Sequence, residues 1–107
     1  MTILTVTPAE LVQRRNSGEL WRLLDVREPW ETEIVRVDDA IFMPMQELPS
    51  RLTELSPEEP LAVLCHTGGR SARVAEFLMH RGFSRVANVT GGIDAWSISV
   101  DASLPRY

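Results

Sequence analysis

Four apolar residues in an unbroken run, Leu61-Ala62-Val63-Leu64, lead straight into Cys65-His66-Thr67-Gly68-Gly69-Arg70-Ser71, and an apolar stripe of Val74, Phe77 and Leu78 follows. A run of that kind reads as a strand buried on both faces, as in a parallel sheet, and the spacing of the stripe marks one face of a helix. The turn between them holds the chain's only cysteine. A strand that ends at Cys65, turns through two glycines and enters a helix at Ser71 sets the sulfur beside inward-pointing amides and a helix N-terminus. That environment favours a thiolate and a bound anion, and adjacent Arg70 adds to the positive potential. A free cysteine on its own reads as core. The Gly68-Gly69 pair argues otherwise, because glycines let a backbone close tightly around a ligand.

The rest of the chain supplies elements of an open sheet. Thr7-Pro8-Ala9-Glu10 predicts a helix start with an N-cap, a proline in the first turn and a capping box, and Gly18 predicts its stop. Trp21, Leu23, Leu24 and Val26 predict a buried strand with Asp25 near its carboxyl end, and Pro29 opens a short helix. Ligands of open parallel sheets collect beyond the carboxyl ends of strands, so Asp25 and Cys65 are expected at one edge. There Asp25 is expected to support the loop, by orienting its amides or a nearby arginine; the plainer alternative is a pair with Arg27. Arg27 itself reads as one half of an ion pair with Glu31 or another acid.

Ile41 and Phe42 suggest a short strand, and Leu48, Leu52 and Leu55 a helix beginning near Pro49. After the loop, Arg81-Gly82-Phe83 predicts a Schellman close with Phe83 folded back on Leu78. Val86 to Val89 reads as the last strand and Gly91-Gly92 as a turn into a helix carrying Ile93 and Trp96. The segment from Ser97 to Tyr107 either closes over the domain or frays.

Composition narrows the function classes. A length of 107 residues suits one domain, 1–107. No apolar run approaches the roughly 18 residues of a membrane helix, and the first residues lack the pattern of a signal peptide, so no membrane partner and a cytoplasmic location are expected. One cysteine fits a reducing compartment. A net charge of −4 argues against a nucleic-acid partner. The basic residues besides two histidines are all arginine, which rules out lysine Schiff-base chemistry. Two histidines far apart in sequence and one cysteine form no metal-ligand pattern, so neither metal nor cofactor is expected.

Three segments together carry a family resemblance. Asp25-Val26-Arg27-Glu28-Pro29-Trp30-Glu31, Cys65 to Ser71 and Gly91-Gly92-Ile93-Asp94-Ala95-Trp96 resemble, in order and spacing, the signature motifs of the single-domain rhodaneses, the thiosulfate sulfurtransferases, over about Thr7 to Tyr107. The resemblance implies a rhodanese-like α/β domain of three layers, a central parallel sheet flanked by helices. It also implies that Cys65 is a nucleophile that becomes a persulfide. Sulfur would come from a small anionic donor, thiosulfate or a persulfide, and pass to cyanide or a thiol, or to a protein acceptor in a sulfur relay.

In that scheme the amides of His66, Thr67, Gly68, Gly69 and Arg70 form the substrate-binding loop and stabilise the persulfide. Arg70 either holds the sulfonate of thiosulfate or braces the loop through a salt bridge, and the His66 side chain is expected in solvent. The segment Val35-Arg36-Val37-Asp38-Asp39-Ala40 departs from the family's Gly-His-Ile-Pro-Gly-Ala pattern, which predicts a re-formed or strained turn before Ile41. Cys65 and Arg70 are one residue closer than in cysteine phosphatases, leaving less room for a tetrahedral phosphate. A phosphatase or arsenate reductase is thereby disfavoured, and retention of Cys65 with both glycines argues against a non-catalytic binding module.

Overall fold

Thr7 caps its helix as its neighbours dictate: its hydroxyl accepts from the Glu10 amide at 3.1 Å, and the Glu10 carboxylate accepts from the Thr7 amide at 2.8 Å. The helix is α1 (Pro8–Asn16) in the computed structural model, which describes residues 3–107. Around it the chain alternates strand and helix: β1 (Leu4–Val6), β2 (Arg22–Asp25), α2 (Pro29–Ile34), β3 (Ile41–Phe42), α3 (Leu48–Arg51), β4 (Leu61–Leu64), α4 (Gly69–His80), β5 (Val86–Val89) and α5 (Gly92–Ser99). The five strands form one parallel sheet in the order β1-β5-β4-β2-β3.

The central position of β4 explains its composition. It pairs β2 on one side and β5 on the other, and all four of its residues are buried. Alternation sends Leu61, Val63 and Cys65 to a core shared with Val74, Ala75 and Leu78 of α4 and with Leu48 and Leu55. Ala62 and Leu64 face the opposite core, with Leu11 of α1 and Ile93 and Trp96 of α5. The result is three layers, helices on both faces of a parallel sheet, and it places the cysteine at the end of the middle strand.

The helix before β4 differs from its expected form. It is a four-residue α-turn, Leu48–Arg51, flanked by 3₁₀ turns at Met45–Glu47 and Leu52–Glu54, yet Leu48 and Leu55 still reach the core. Strand β1 has no precedent in the sequence reading, because its three residues bury only Val6 and give no alternation to detect. The Val35–Ala40 turn is re-formed without strain: no non-glycine residue among those described has a positive φ, and the Ala40 amide bonds the Val37 carbonyl at 3.1 Å. Arg36 lies exposed there, paired with Asp38 at 3.2 Å. The Schellman close is present, with the Phe83 amide on the Leu78 carbonyl at 3.1 Å and the Gly82 amide on Met79 at 3.2 Å.

Candidate active site

Cys65 leaves β4 and its Sγ turns back into the loop, where the Gly68 amide donates to it at 3.1 Å. Gly68 permits this by adopting φ +108°, a left-handed conformation that a side chain would strain, and it serves as N-cap of α4. The helix therefore begins at Gly69, two residues ahead of the predicted start. The amides of Thr67, Gly69, Arg70 and Ser71, in the loop and the first turn of α4, have no protein acceptor among the described residues.

A second contact closes on the sulfur from α4. Ser71 Oγ lies 3.3 Å from Cys65 Sγ and donates its proton to Asn88 Oδ1 on β5, while the Asn88 amide donates to the Gly68 carbonyl at 3.3 Å. One hydroxyl proton serves one acceptor at a time. With that proton on Asn88, a neutral thiol donates to Ser71; for a thiolate, Ser71 rotates its proton to the sulfur. Cys65 is 1% exposed, so its sulfur sits inside the loop and not on its crest.

The loop is held from behind by α5. The amides of Ile93 and Asp94 donate to the carbonyls of Cys65 and His66 at 2.9 and 3.1 Å. A Cβ on Gly92 (φ +58°) would overlap those two carbonyls, which is the physical reason for glycine at the start of this helix. Trp96 is buried in the adjoining core, as a packing anchor would be.

Arg70 turns away from any approaching anion. Its guanidinium makes two bonds to the buried Glu31 carboxylate of α2, at 2.6 and 2.8 Å, the bracing arrangement of the two expected for it. That contact raises the Arg70 guanidinium above its ordinary value. Burial pushes Glu31 up, but the bonds from Arg70, Tyr107 and the Glu28 amide outweigh it and hold this carboxyl lowered to about 2.

Asp25 does not support the loop as expected. It is at the right edge, in register with Leu64, but its carboxylate is fully buried and taken up by Arg27: the Arg27 amide and Nε bond Oδ1 at 3.0 Å each, and a terminal guanidinium nitrogen bonds Oδ2 at 2.7 Å. A short strand-end turn brings the two side chains together before either can reach the cysteine. Arg27 also donates to the carbonyls of Glu31 and Val35, at 3.3 and 2.8 Å, pinning α2.

His66 is not in solvent. Its ring stacks on Tyr107 at 3.9 Å between centroids and 6° between planes, and its Nε2 lies 2.8 Å from the Tyr107 main-chain oxygen. Tyr107 donates its hydroxyl to Glu31 at 2.6 Å and accepts from Arg27 at 3.1 Å, so the closing segment folds over the site. Burial raises the phenol to about 12. Sequence reasoning missed Glu31, Ser71, Asn88 and Tyr107 as neighbours of the site. Glu31 and Ser71 had a signal, their places in the Asp25–Glu31 and Cys65–Ser71 motifs, and Asn88 and Tyr107 had none.

Comparison with known proteins accounts for this geometry. The family model of the rhodanese-like domain matches residues 7–99. A sulfurtransferase of Allochromatium vinosum is 36% identical over 87 residues, covering 81% of each chain. A rhodanese-like/PpiC domain-containing chloroplast protein of Arabidopsis thaliana is 43% identical over 90 residues, 80% of this chain but only 30% of that protein's length. Several further curated relatives, among them sulfurtransferases and a putative sulfur carrier protein, are also longer, and this chain spans about a quarter to a half of each. The crystal structure of a rhodanese-like domain protein from Staphylococcus aureus superposes with a TM-score of 0.84 at 30% identity, covering 98% of this chain and 99% of that one. With the family model matched over residues 7–99 and the same fold in a solved relative at 30% identity, this chain belongs to the rhodanese-like domain family.

Proposed function

We propose that the protein moves sulfane sulfur from thiosulfate or a similar donor to a thiophilic acceptor through a persulfide on Cys65. The observation that carries this reading is the loop itself: the Gly68 amide donates to Sγ, while the amides of Thr67, Gly69, Arg70 and Ser71 have no protein acceptor among the described residues. The Cys65 thiolate attacks the outer sulfur of thiosulfate; the bond to the sulfonate sulfur breaks and sulfite leaves with the electron pair. Cyanide or a thiolate then attacks the outer sulfur of the persulfide, the Cys65 sulfur–sulfur bond breaks, and the thiolate returns. The loop amides and the Ser71 hydroxyl stabilise negative sulfur at both stages, and the covalent intermediate splits one transfer into two easier ones.

Arg70 supports the site by bracing the loop against α2, while Asp25 holds Arg27 and acts on α2 only through it. No metal or cofactor takes part in either step, and one lone cysteine is consistent with action in the cytoplasm. Initial rates with thiosulfate and cyanide varied together test the scheme. Parallel double-reciprocal lines are the expected result, and intersecting lines contradict a free persulfide form.

A relay to a protein acceptor uses the same loop and is favoured by one relative, a putative sulfur carrier protein of Bacillus subtilis. Faster transfer to a candidate acceptor protein than to cyanide selects the relay.

A further inference from the structure

Tyr107 touches both halves of the site and has no place in the chemistry above. Its ring covers His66, the residue next to the cysteine, and its main-chain oxygen, which only accepts, fixes the proton of a neutral His66 on Nε2. Its hydroxyl sits between the Arg27 guanidinium and the Glu31 carboxylate that holds Arg70. The Trp30 ring meets its edge at 6.1 Å and 75°. One side chain thus ties α2 to the cysteine loop through stacking on one side and hydrogen bonds on the other.

The segment leading to Tyr107 is itself tied down. The Asp101 amide bonds the Trp96 carbonyl at 3.0 Å, Leu104 packs against the core of α1 and α5, and Arg106 pairs with Asp94 at 2.8 Å. Asp94 is the residue whose amide holds the His66 carbonyl, so the strap and the loop share an anchor. Thr67 and Gly69 on the loop crest stay exposed while His66 is half-buried beneath the tyrosine. Tyr107 thus covers the side chain next to Cys65 in the loop, and Cys65 is itself 1% exposed.

We infer that Tyr107 is a specificity-determining residue of the sulfur site: by locking His66 and Glu31 it closes one wall of the loop to wide reactants and leaves passage for slender ones. The inference rests on the persulfide reading for its biological sense. Its geometry concerns access to Cys65 alone. A slender acceptor such as cyanide or a small thiol passes the closed wall, whereas a broad one needs the strap displaced.

Because Cys65 is the only cysteine, alkylation reports on it without ambiguity. The probes are iodoacetamide, which is slender, and fluorescein maleimide, which is broad, applied to the full chain. The quantity read is the ratio of their second-order rate constants. Tyr107→Ala is expected to raise the broad-to-slender ratio roughly tenfold over wild type, the scale on which pocket size discriminates, and Tyr107→Phe, which keeps the ring and loses the hydroxyl bonds, to fall between.

Should Tyr107→Ala fail to fold, Tyr107→Leu, which keeps apolar bulk and loses the stack, carries the same expectation. An unchanged ratio in a folded variant overturns the inference, and so does an equal rise for both reagents, which reports general loosening. Neither result depends on sulfur loading of the wild type, so failure here and failure of the persulfide reading are separable.

Discussion

Arg70 and Glu31 meet in two bonds, of 2.6 and 2.8 Å, joining the first turn of α4 to α2 across the face of the cysteine loop. The pair offsets the charge of the loop's one arginine, while loop amides at Thr67, Gly69 and Arg70 keep no protein acceptor among the described residues. The loop's electrostatics then come from its backbone, and its rigidity from the ion pair.

This pairing makes the fold sensitive to acid. Glu31 is pushed up by burial and pulled down further by Arg70, Tyr107 and the Glu28 amide, from 4.5 to about 2. A carboxyl with a depressed folded-state value contributes stability above its unfolded value and loses it as pH falls through the folded one. Urea unfolding of the wild type should therefore weaken between pH 4.5 and about 2 through this group. Glu31→Gln is expected to cost about 2 kcal/mol near neutral pH, the scale of a hydrogen bond to a charged group, and to lack this part of the acid loss. Equal acid slopes in the two proteins would contradict the assignment.

Asp25→Asn leaves the buried Arg27 guanidinium without its counter-charge. Breaking a buried pair by removing one partner costs about 3 to 5 kcal/mol, so a large drop in unfolding free energy is expected. The folded fraction of the variant, titrated with a thiol reagent, should react at close to the wild-type rate, because Asp25 does not reach the cysteine. A slow-reacting thiol in a stable variant would restore the role in the loop that its sequence position suggested.

Ser71→Ala removes the one hydroxyl within reach of Sγ among the described residues. Loss of a charge-assisted hydrogen bond is worth roughly 1.5 to 3 kcal/mol, so sulfur uptake should slow by about tenfold or more, with little change in the overall fold. Ser71→Thr should recover much of the rate. An unaltered rate in Ser71→Ala would leave the Gly68 amide as the only specific partner of the sulfur.

Local chemistry was legible in the sequence, and long-range pairing was not. The capping box at Thr7, the glycine-led turn at Cys65 and the Schellman close at Gly82 each depend on residues a few positions apart, and each is present. The motif Gly91–Trp96 was visible as a pattern, but its reason, a helix N-terminus holding the Cys65 and His66 carbonyls, required the sheet to bring residues 65 and 93 together. Asp25 illustrates the same limit. The strand order put it at the correct edge, while the choice between loop and Arg27 depended on a side-chain turn two residues long. Tyr107 and Glu31 lie 76 residues apart, and no spacing announces that bond.

The most direct test is the intact mass of the purified protein before and after thiosulfate. The account predicts a gain of one sulfur atom, reversed by cyanide and absent from Cys65→Ala. A wild-type mass that stays unchanged with thiosulfate and with small persulfide donors, in a folded protein, would contradict it.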